Sequence, residues 1–177
     1  RRRHTRLRTV TGVQTCALPI YVNLMGTVHV CHAFLPGMVE SGGPRHVVNV
    51  ASALGISASP NLSAYSATKH AVVGFASALR NELRPFGVSV QALCPPATQT
   101  PGFDKENETK PASVRKAEEA GGVMSAQAVA RVAWTRCGRG GLYVIPNRTS
   151  RMLFALSRMS TDLAHAFVRA PGPGQAR

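Results

Sequence analysis

The 177-residue chain predicts an α/β fold, the C-terminal half of a doubly wound parallel sheet. Two near-continuous runs rich in β-branched residues, His46–Ala51 and Val88–Leu93, suit strands buried on both faces. Helical stretches alternate with those runs, and strand–helix alternation closes into a parallel sheet with right-handed crossovers. A hydrophobic content of 44% supplies one core in a chain of single-domain length.

Residues 1–20 are set aside as an assembly artefact, to be excluded from fold reasoning. The eleven residues Val10-Thr-Gly-Val-Gln-Thr-Cys-Ala-Leu-Pro-Ile20 are what results from translating a common short-read sequencing adapter. Arg1, Arg2, Arg3, Arg6 and Arg8 precede them with no acid. An Arg-rich targeting presequence and an ordinary strand with a basic tail are the other readings.

A helix is expected from Asn23 to about Glu40, then a strand near His46–Ala51 and a helix from about Ser63 to Arg84. The strand Val88–Leu93 ends at Pro95-Pro96, because proline has no N–H for a ladder bond. A loop and helical lid follow, with the lid near 103–121. Its acids Asp104, Glu106, Glu108, Glu118 and Glu119 are interleaved with Lys105, Lys110, Arg115 and Lys116. A mixed-charge solvated face is the preferred reading, ahead of a carboxylate that pairs a substrate ammonium. A helix near Ser125–Thr135 and a short strand Gly141–Ile145 complete the domain, which spans 21–146.

Residues 147–169 read as an amphipathic helix, with Met152, Leu156, Met159, Leu163 and Phe167 on one side. Arg151, Arg158, Asp162, His165 and Arg169 take the other. Docking on the domain or on a second subunit is preferred to lying in a membrane interface. No unbroken run of 18 apolar residues occurs, so no membrane-spanning helix is expected. Residues 170–177 form a Pro/Gly-rich tail.

Lys and Arg number 21 against 8 acids, a net charge of +13, and setting aside the five early arginines leaves 16 against 8. The excess falls late, but no aromatic-interleaved basic motif or recognition-helix signature accompanies it, so nucleic acid is not the expected partner. Cys31, Cys94 and Cys137 lack metal-ligand spacing and read as reduced, packed thiols, which points to a cytoplasmic setting. His29 and His32 read as a surface pair without a third ligand, so no metal site is expected.

The chemistry concentrates in Tyr65-Ser-Ala-Thr-Lys69, with Ser52 thirteen residues ahead of the tyrosine and Asn23 upstream. Positions i and i+4 share a helix face, so Lys69 can stand beside Tyr65 and favour its phenolate. Ser52 ends a predicted parallel strand, where open α/β sheets place ligands. A tyrosine and lysine at this spacing commonly form an ordinary solvated helix face; the strand-end serine favours the catalytic reading. A phenol, a cation, a hydroxyl and an amide suit proton transfer to a carbonyl oxygen as a nicotinamide delivers hydride.

These residues resemble the short-chain dehydrogenase/reductases over roughly Tyr21 to the C-terminal helix. The resemblance implies a Rossmann-type fold in which Asn23, Ser52, Tyr65 and Lys69 are catalytic. Tyr65 and Lys69 would also bind cofactor, Lys69 through the nicotinamide ribose. Pro95 and Pro96 stand where the family has Pro-Gly, and Thr100 where its threonine contacts the nicotinamide amide. The run Pro95-Pro96, Thr100-Pro-Gly-Phe103, Glu106-Asn107 and Thr109-Lys-Pro111 is similar to the 3-ketosphinganine reductase branch. Ala97 and Gln99 depart from it, since that branch usually has acidic residues there.

The resemblance implies NADPH as cofactor, with NADH left open, and a small-molecule or lipid ketone as substrate. It also implies a homodimer or homotetramer built on the helices bearing Asn23 and Tyr65, and peripheral membrane contact. No Gly-rich turn that would cradle a pyrophosphate appears before Asn23, so the N-terminal nucleotide-binding half is expected to be absent. Three strands would then leave one edge open, and the chain is expected to fold poorly and turn over little. The alternatives are a short-chain reductase for another alcohol or ketone, and a non-catalytic module binding anionic lipid or nucleic acid.

Overall fold

The computed structural model describes residues 17–160. Its first helix, α1, spans Gly26–Glu40 and continues a helical turn at Ala17–Pro19 and a π-helical turn at Ile20–Met25. The π turn closes where the Gly26 N–H donates to the Tyr21 carbonyl, five residues back. Strand β1 follows at Arg45–Val50, then helix α2 at Ser63–Leu83 and strand β2 at Val88–Leu93. β1 and β2 run parallel, in register from Arg45 opposite Val88 to Val50 opposite Leu93.

The buried side of α2 carries Ser66, Thr68, Val72, Val73, Ala76, Leu79 and Leu83, a stripe at three- and four-residue steps that fixes which face meets the sheet. Pro85 follows the helix, and Gly87 adopts φ +73°, a left-handed turn that suits glycine and swings the chain into β2.

Beyond β2 lie β3 (Thr98–Gln99), α3 (Pro101–Thr109), α4 (Ala112–Gly121), β4 (Met124–Ser125), α5 (Ala126–Arg136), β5 (Tyr143–Val144) and α6 (Arg148–Met159). The main sheet has the order β1-β2-β5, all parallel, and β3 pairs with β4 in a second, two-residue parallel ladder. One face of the main sheet packs Val88, Val90 and Ala92 against α2 and Cys31 of α1. The other buries Leu93 and Val144 against Val129 of α5. Helices thus cover both faces, as a doubly wound sheet requires. The strands and helices fall within two residues of the expected bounds, apart from the π turn ahead of α1 and the last helix, α6, which was expected over 147–169 and ends at Met159, where Ser160 turns to extended backbone. The β3–β4 ladder is an addition that two-residue strands hide from periodicity.

Helix α6 docks rather than floats: Ser150 is buried and the Phe154 ring meets that of Tyr143 at 4.6 Å between centroids. Leu163, Phe167, Asp162, His165, Arg169 and the tail 170–177 lie outside the described residues, as do residues 1–16. The segment Ile20–Glu40 is one continuous helical stretch. Its 21 helical residues are long and apolar enough to cross a membrane by length and composition, although polar Asn23, Thr27, His29 and His32 interrupt any unbroken run.

Candidate active site

Ser52 leaves β1 in extended backbone and caps the short 3-10 turn Ala53–Gly55, its hydroxyl accepting from the Leu54 N–H at 3.1 Å. Ala51 and Ala53 on either side of it donate to the carbonyls of Leu93 and Pro95, each at 2.8 Å. The parallel ladder therefore extends past both strands and fixes Ser52 at their carboxyl end, beside Pro95. The turn then presses on α2 at Gly55, where an added Cβ would lie 2.7 Å from the Lys69 carbonyl oxygen. Only glycine allows that approach without shifting backbone.

Across this contact the Ser52 side chain is placed to act on the Tyr65 phenol as a hydrogen-bonding partner. Burial pushes the phenol above its ordinary range, the serine bond opposes that rise, Glu106 and Glu118 add to it, and Lys110 opposes it. This departs from the expectation that Lys69 tunes the phenol downward. The Lys69 ammonium lies 5.7 Å from the ring centroid and donates to the Val50 carbonyl at 3.3 Å. It is itself partly desolvated, which lowers its pKa. In this arrangement burial sets the direction of the shift.

Asn23 sits inside the π turn, and its Nδ2 donates to Thr68 Oγ1 at 3.2 Å; Thr68 in turn donates to the Tyr65 carbonyl at 2.8 Å. A π turn repositions a side chain relative to an α-helical ladder, and such turns recur at functional sites. Asn23 is thus tied to the Tyr65 backbone. Cys94 is fully buried between Ser52 and Lys69, and burial drives its thiol up to about 12 against the opposing pull of both. The thiol fills the floor of the site without being a nucleophile.

Pro96 continues from Pro95, its carbonyl accepting from the Thr98 hydroxyl at 2.9 Å. Thr100 caps α3, its hydroxyl accepting from the Phe103 N–H at 3.1 Å. The structure thus gathers Ser52, Tyr65, Lys69 and Pro95 directly, links Asn23 through Thr68, and places Thr100 at the mouth of the lid. Thr68 and Gly55 escaped the sequence reading. Their positions, next to Lys69 and three residues after Ser52, were the available signals.

The lid differs from a solvated face at one point. Lys110 is nearly buried, its Nζ 2.9 and 3.0 Å from the two oxygens of Glu118 and 3.4 Å from Glu106, above the Phe103 ring at 4.7 Å. Glu106 and Glu118, not Glu108, are the lid acids whose charge acts on Tyr65.

Comparison with known proteins agrees with this geometry. The model of the short chain dehydrogenase family matches residues 9–111. A 3-ketodihydrosphingosine reductase of Dictyostelium discoideum is 29% identical over 147 residues, 82% of this chain and 44% of the relative. That of Bos taurus is 39% identical over 110 residues, 62% of this chain and 33% of the relative. The chain therefore spans less than half the length of either. Among solved structures, a short chain dehydrogenase from Burkholderia cenocepacia in complex with NADP superposes with a TM-score of 0.71 at 21% identity, over 89% of this chain and 60% of that one. A match across more than half of the 177 residues, on a parallel α/β sheet with a serine–tyrosine pair at its carboxyl edge, establishes that the chain belongs to the short chain dehydrogenase family.

Proposed function

We propose that the protein to which this chain contributes is a nicotinamide-dependent reductase converting a ketone to a secondary alcohol, with a 3-ketosphinganine-like long-chain amino-ketone as substrate. The observation that carries the reading is the close approach of the turn after β1 to α2, Gly55 against the Lys69 carbonyl, which sets Ser52 beside Tyr65 with the Lys69 ammonium 5.7 Å from its ring. Similarity to two 3-ketodihydrosphingosine reductases supports the substrate class.

Ser52 would donate to the carbonyl oxygen and orient it, and Tyr65 would transfer its proton to that oxygen. A phenol held protonated by burial suits the donor role in the reductive direction. Asn23, through Thr68, holds the Tyr65 backbone in place. Lys69 fits the ribose of a nicotinamide dinucleotide: its ammonium bonds the Val50 carbonyl and has further donors to offer. Tyr65, Pro95, Pro96 and Thr100 would complete that end of the cofactor site. When bound, the cofactor, NADPH in this reading, supplies the hydride.

The test is NADPH oxidation by the full-length protein with a long-chain 3-keto amine and with its deaminated analogue. Tyr65→Phe should lower turnover by roughly 10²–10⁴-fold, far more than it weakens NADPH binding. Turnover unaffected by Tyr65→Phe would refute the assignment, and reduction of the deaminated ketone alone would move the substrate elsewhere in the family.

A further inference from the structure

The lid is rooted at the edge of the sheet that carries Ser52. Pro95, whose carbonyl accepts from Ala53 N at 2.8 Å, leads through Pro96 into β3, and Thr100 then caps α3. At the other end α4 stops at Gly121, Gly122 reverses the chain at φ +85°, and β4 returns alongside β3, with Met124 N donating to the Ala97 carbonyl at 2.9 Å. Between these roots α3 and α4 are braced as one hairpin: Lys110 Nζ lies 2.9 and 3.0 Å from the two Glu118 oxygens, and Arg115 donates to the Asn107 carbonyl at 3.0 Å. The pose of such a hairpin over the sheet edge is set at its roots, and a two-residue ladder is a short root.

Asn147 supplies a further tie. It follows β5, whose Val144 carbonyl accepts from Cys94 N at 2.8 Å, and so stands at the same carboxyl edge. Both ends of its amide are engaged: Oδ1 caps α6 by accepting from Ser150 N at 3.3 Å, and Nδ2 donates to the carbonyl of Gly121, the last residue of α4, at 2.8 Å. One side chain therefore closes the C-terminus of one helix and opens the next. α6 is in turn held to the sheet through Phe154 on Tyr143, ring centroids 4.6 Å apart, and through buried Ser150. We propose that Asn147 is a positioning residue for ketone binding: it locks the trailing root of the lid to the docked C-terminal helix, so that α6 sets the pose of the lid over the edge that carries Ser52. The inference rests on the reading of the protein as a ketone reductase with α3 and α4 as its substrate lid. A residue that only started α6 would need an acceptor and no donor, and the amide nitrogen on Gly121 goes beyond that role.

Substitutions that separate the two ends of the amide test this in the full-length protein. Asn147→Asp keeps an oxygen that caps α6 but presents no donor to the Gly121 carbonyl, and its charge is unfavourable at the C-terminus of α4. It should speed amide hydrogen exchange over residues 101–123 while leaving 148–159 as in the unsubstituted protein. It should also raise the ketone KM about tenfold and leave kcat and the NADPH Kd within about twofold, because a loosened lid weakens ground state and transition state alike. Asn147→Ser, which also caps without an amide nitrogen, should repeat the pattern and decides the matter where the aspartate impairs folding. Asn147→Ala loses both ends and should loosen α6 as well as the lid. Unchanged exchange over the lid in the Asp and Ser variants, loosening of α6 in them to the same extent as the lid, or a fall in kcat at constant KM would overturn the proposal. If the unsubstituted protein reduces no ketone, the functional reading fails, and the exchange pattern alone judges whether Asn147 holds the lid to α6.

Discussion

Two buried amides, one on each of the paired strands, show how differently the two sides of the sheet are built. Gln91 on β2 is 1% exposed and fully engaged: Nε2 donates to the carbonyls of Arg139 and Gly141 at 2.9 and 3.3 Å, and Oε1 accepts from Gly138 N at 3.0 Å. Asn49 on β1 is also buried, yet its Oδ1 meets only the Cys31 thiol at 3.6 Å and its Nδ2 has no partner among the described residues. The helices repeat the contrast. α2 buries seven residues, whereas α1 buries Cys31 alone and leaves Val30 and Phe34 59% and 67% exposed. The β2–α2 side is complete within these residues. The β1–α1 side leaves apolar surface and one buried amide unpartnered among the described residues.

The sharpest way to break that contrast is to place a charge on each side. Val72 is wholly buried on α2, so Val72→Asp strands a carboxylate in the core and should cost more than about 4 kcal/mol, abolishing cooperative unfolding of the chain. Val30→Asp should stay within about 0.5 kcal/mol in the 177-residue chain and reduce its self-association by light scattering. Equal losses from the two variants would show that α1 is covered after all.

Alkaline unfolding sharpens the comparison next. The Cys94 thiol, on the complete side, is raised by burial from 9.0 to about 12, so it contributes stability below pH 9.0 that is lost as pH rises toward 12. The full loss is roughly 4 kcal/mol as an upper bound. Tyr65, raised above 10.0, acts in the same direction, while Lys69, lowered from 10.5, opposes both, since a depressed value contributes stability above its unfolded range. Urea midpoints should fall between about pH 8 and about pH 11, and Cys94→Ala should flatten that fall. Cys31, also raised by burial, lies on the open side, and Cys31→Ala should change the slope less.

A smaller effect belongs to the seam that holds Ser52 against α2. Gly55→Ala puts a methyl 2.7 Å from the Lys69 carbonyl oxygen, against backbone that cannot swing aside. A cost of about 1–3 kcal/mol is expected, and ketone turnover by the full-length protein should fall further than stability predicts, because Ser52 and Tyr65 separate.

Much of this side was legible in the sequence, and the reason is locality. Tyr65 and Lys69 lie one helical turn apart, and Ser52 ends a run whose β-branched residues announce the strand, so each could be placed without knowing the fold. The π turn at Ile20–Met25 was not legible, since no residue type marks an i→i+5 bond. Lys110 was seen only as one charge among many, because which carboxylates reach it depends on how α3 folds back on α4. The tuning of Tyr65 was misread for a related reason: spacing gives the lysine's position but not the burial that raises the phenol.

The smallest predicted effect bears on how the more exposed side reaches the site. Asn23 and Thr68 are 45 residues apart, and their 3.2 Å hydrogen bond runs from the sparsely buried helical segment that leads into α1 to the well-packed α2. A partly buried neutral bond contributes about 1 kcal/mol net, so Asn23→Ala and Thr68→Val should each cost near that amount. Thr68→Val also loses the bond to the Tyr65 carbonyl and should cost slightly more. In a double-mutant cycle the pair should show coupling of about 0.5–1 kcal/mol if the bond persists in solution. Coupling near zero would mean that the α1 segment moves independently of α2, and that Asn23 acts on Tyr65 only once further structure covers the open edge of β1. Coupling that rises in the full-length protein would locate further support on the β1–α1 side, where the buried Asn49 amide lacks a partner and Val30 and Phe34 of α1 are exposed.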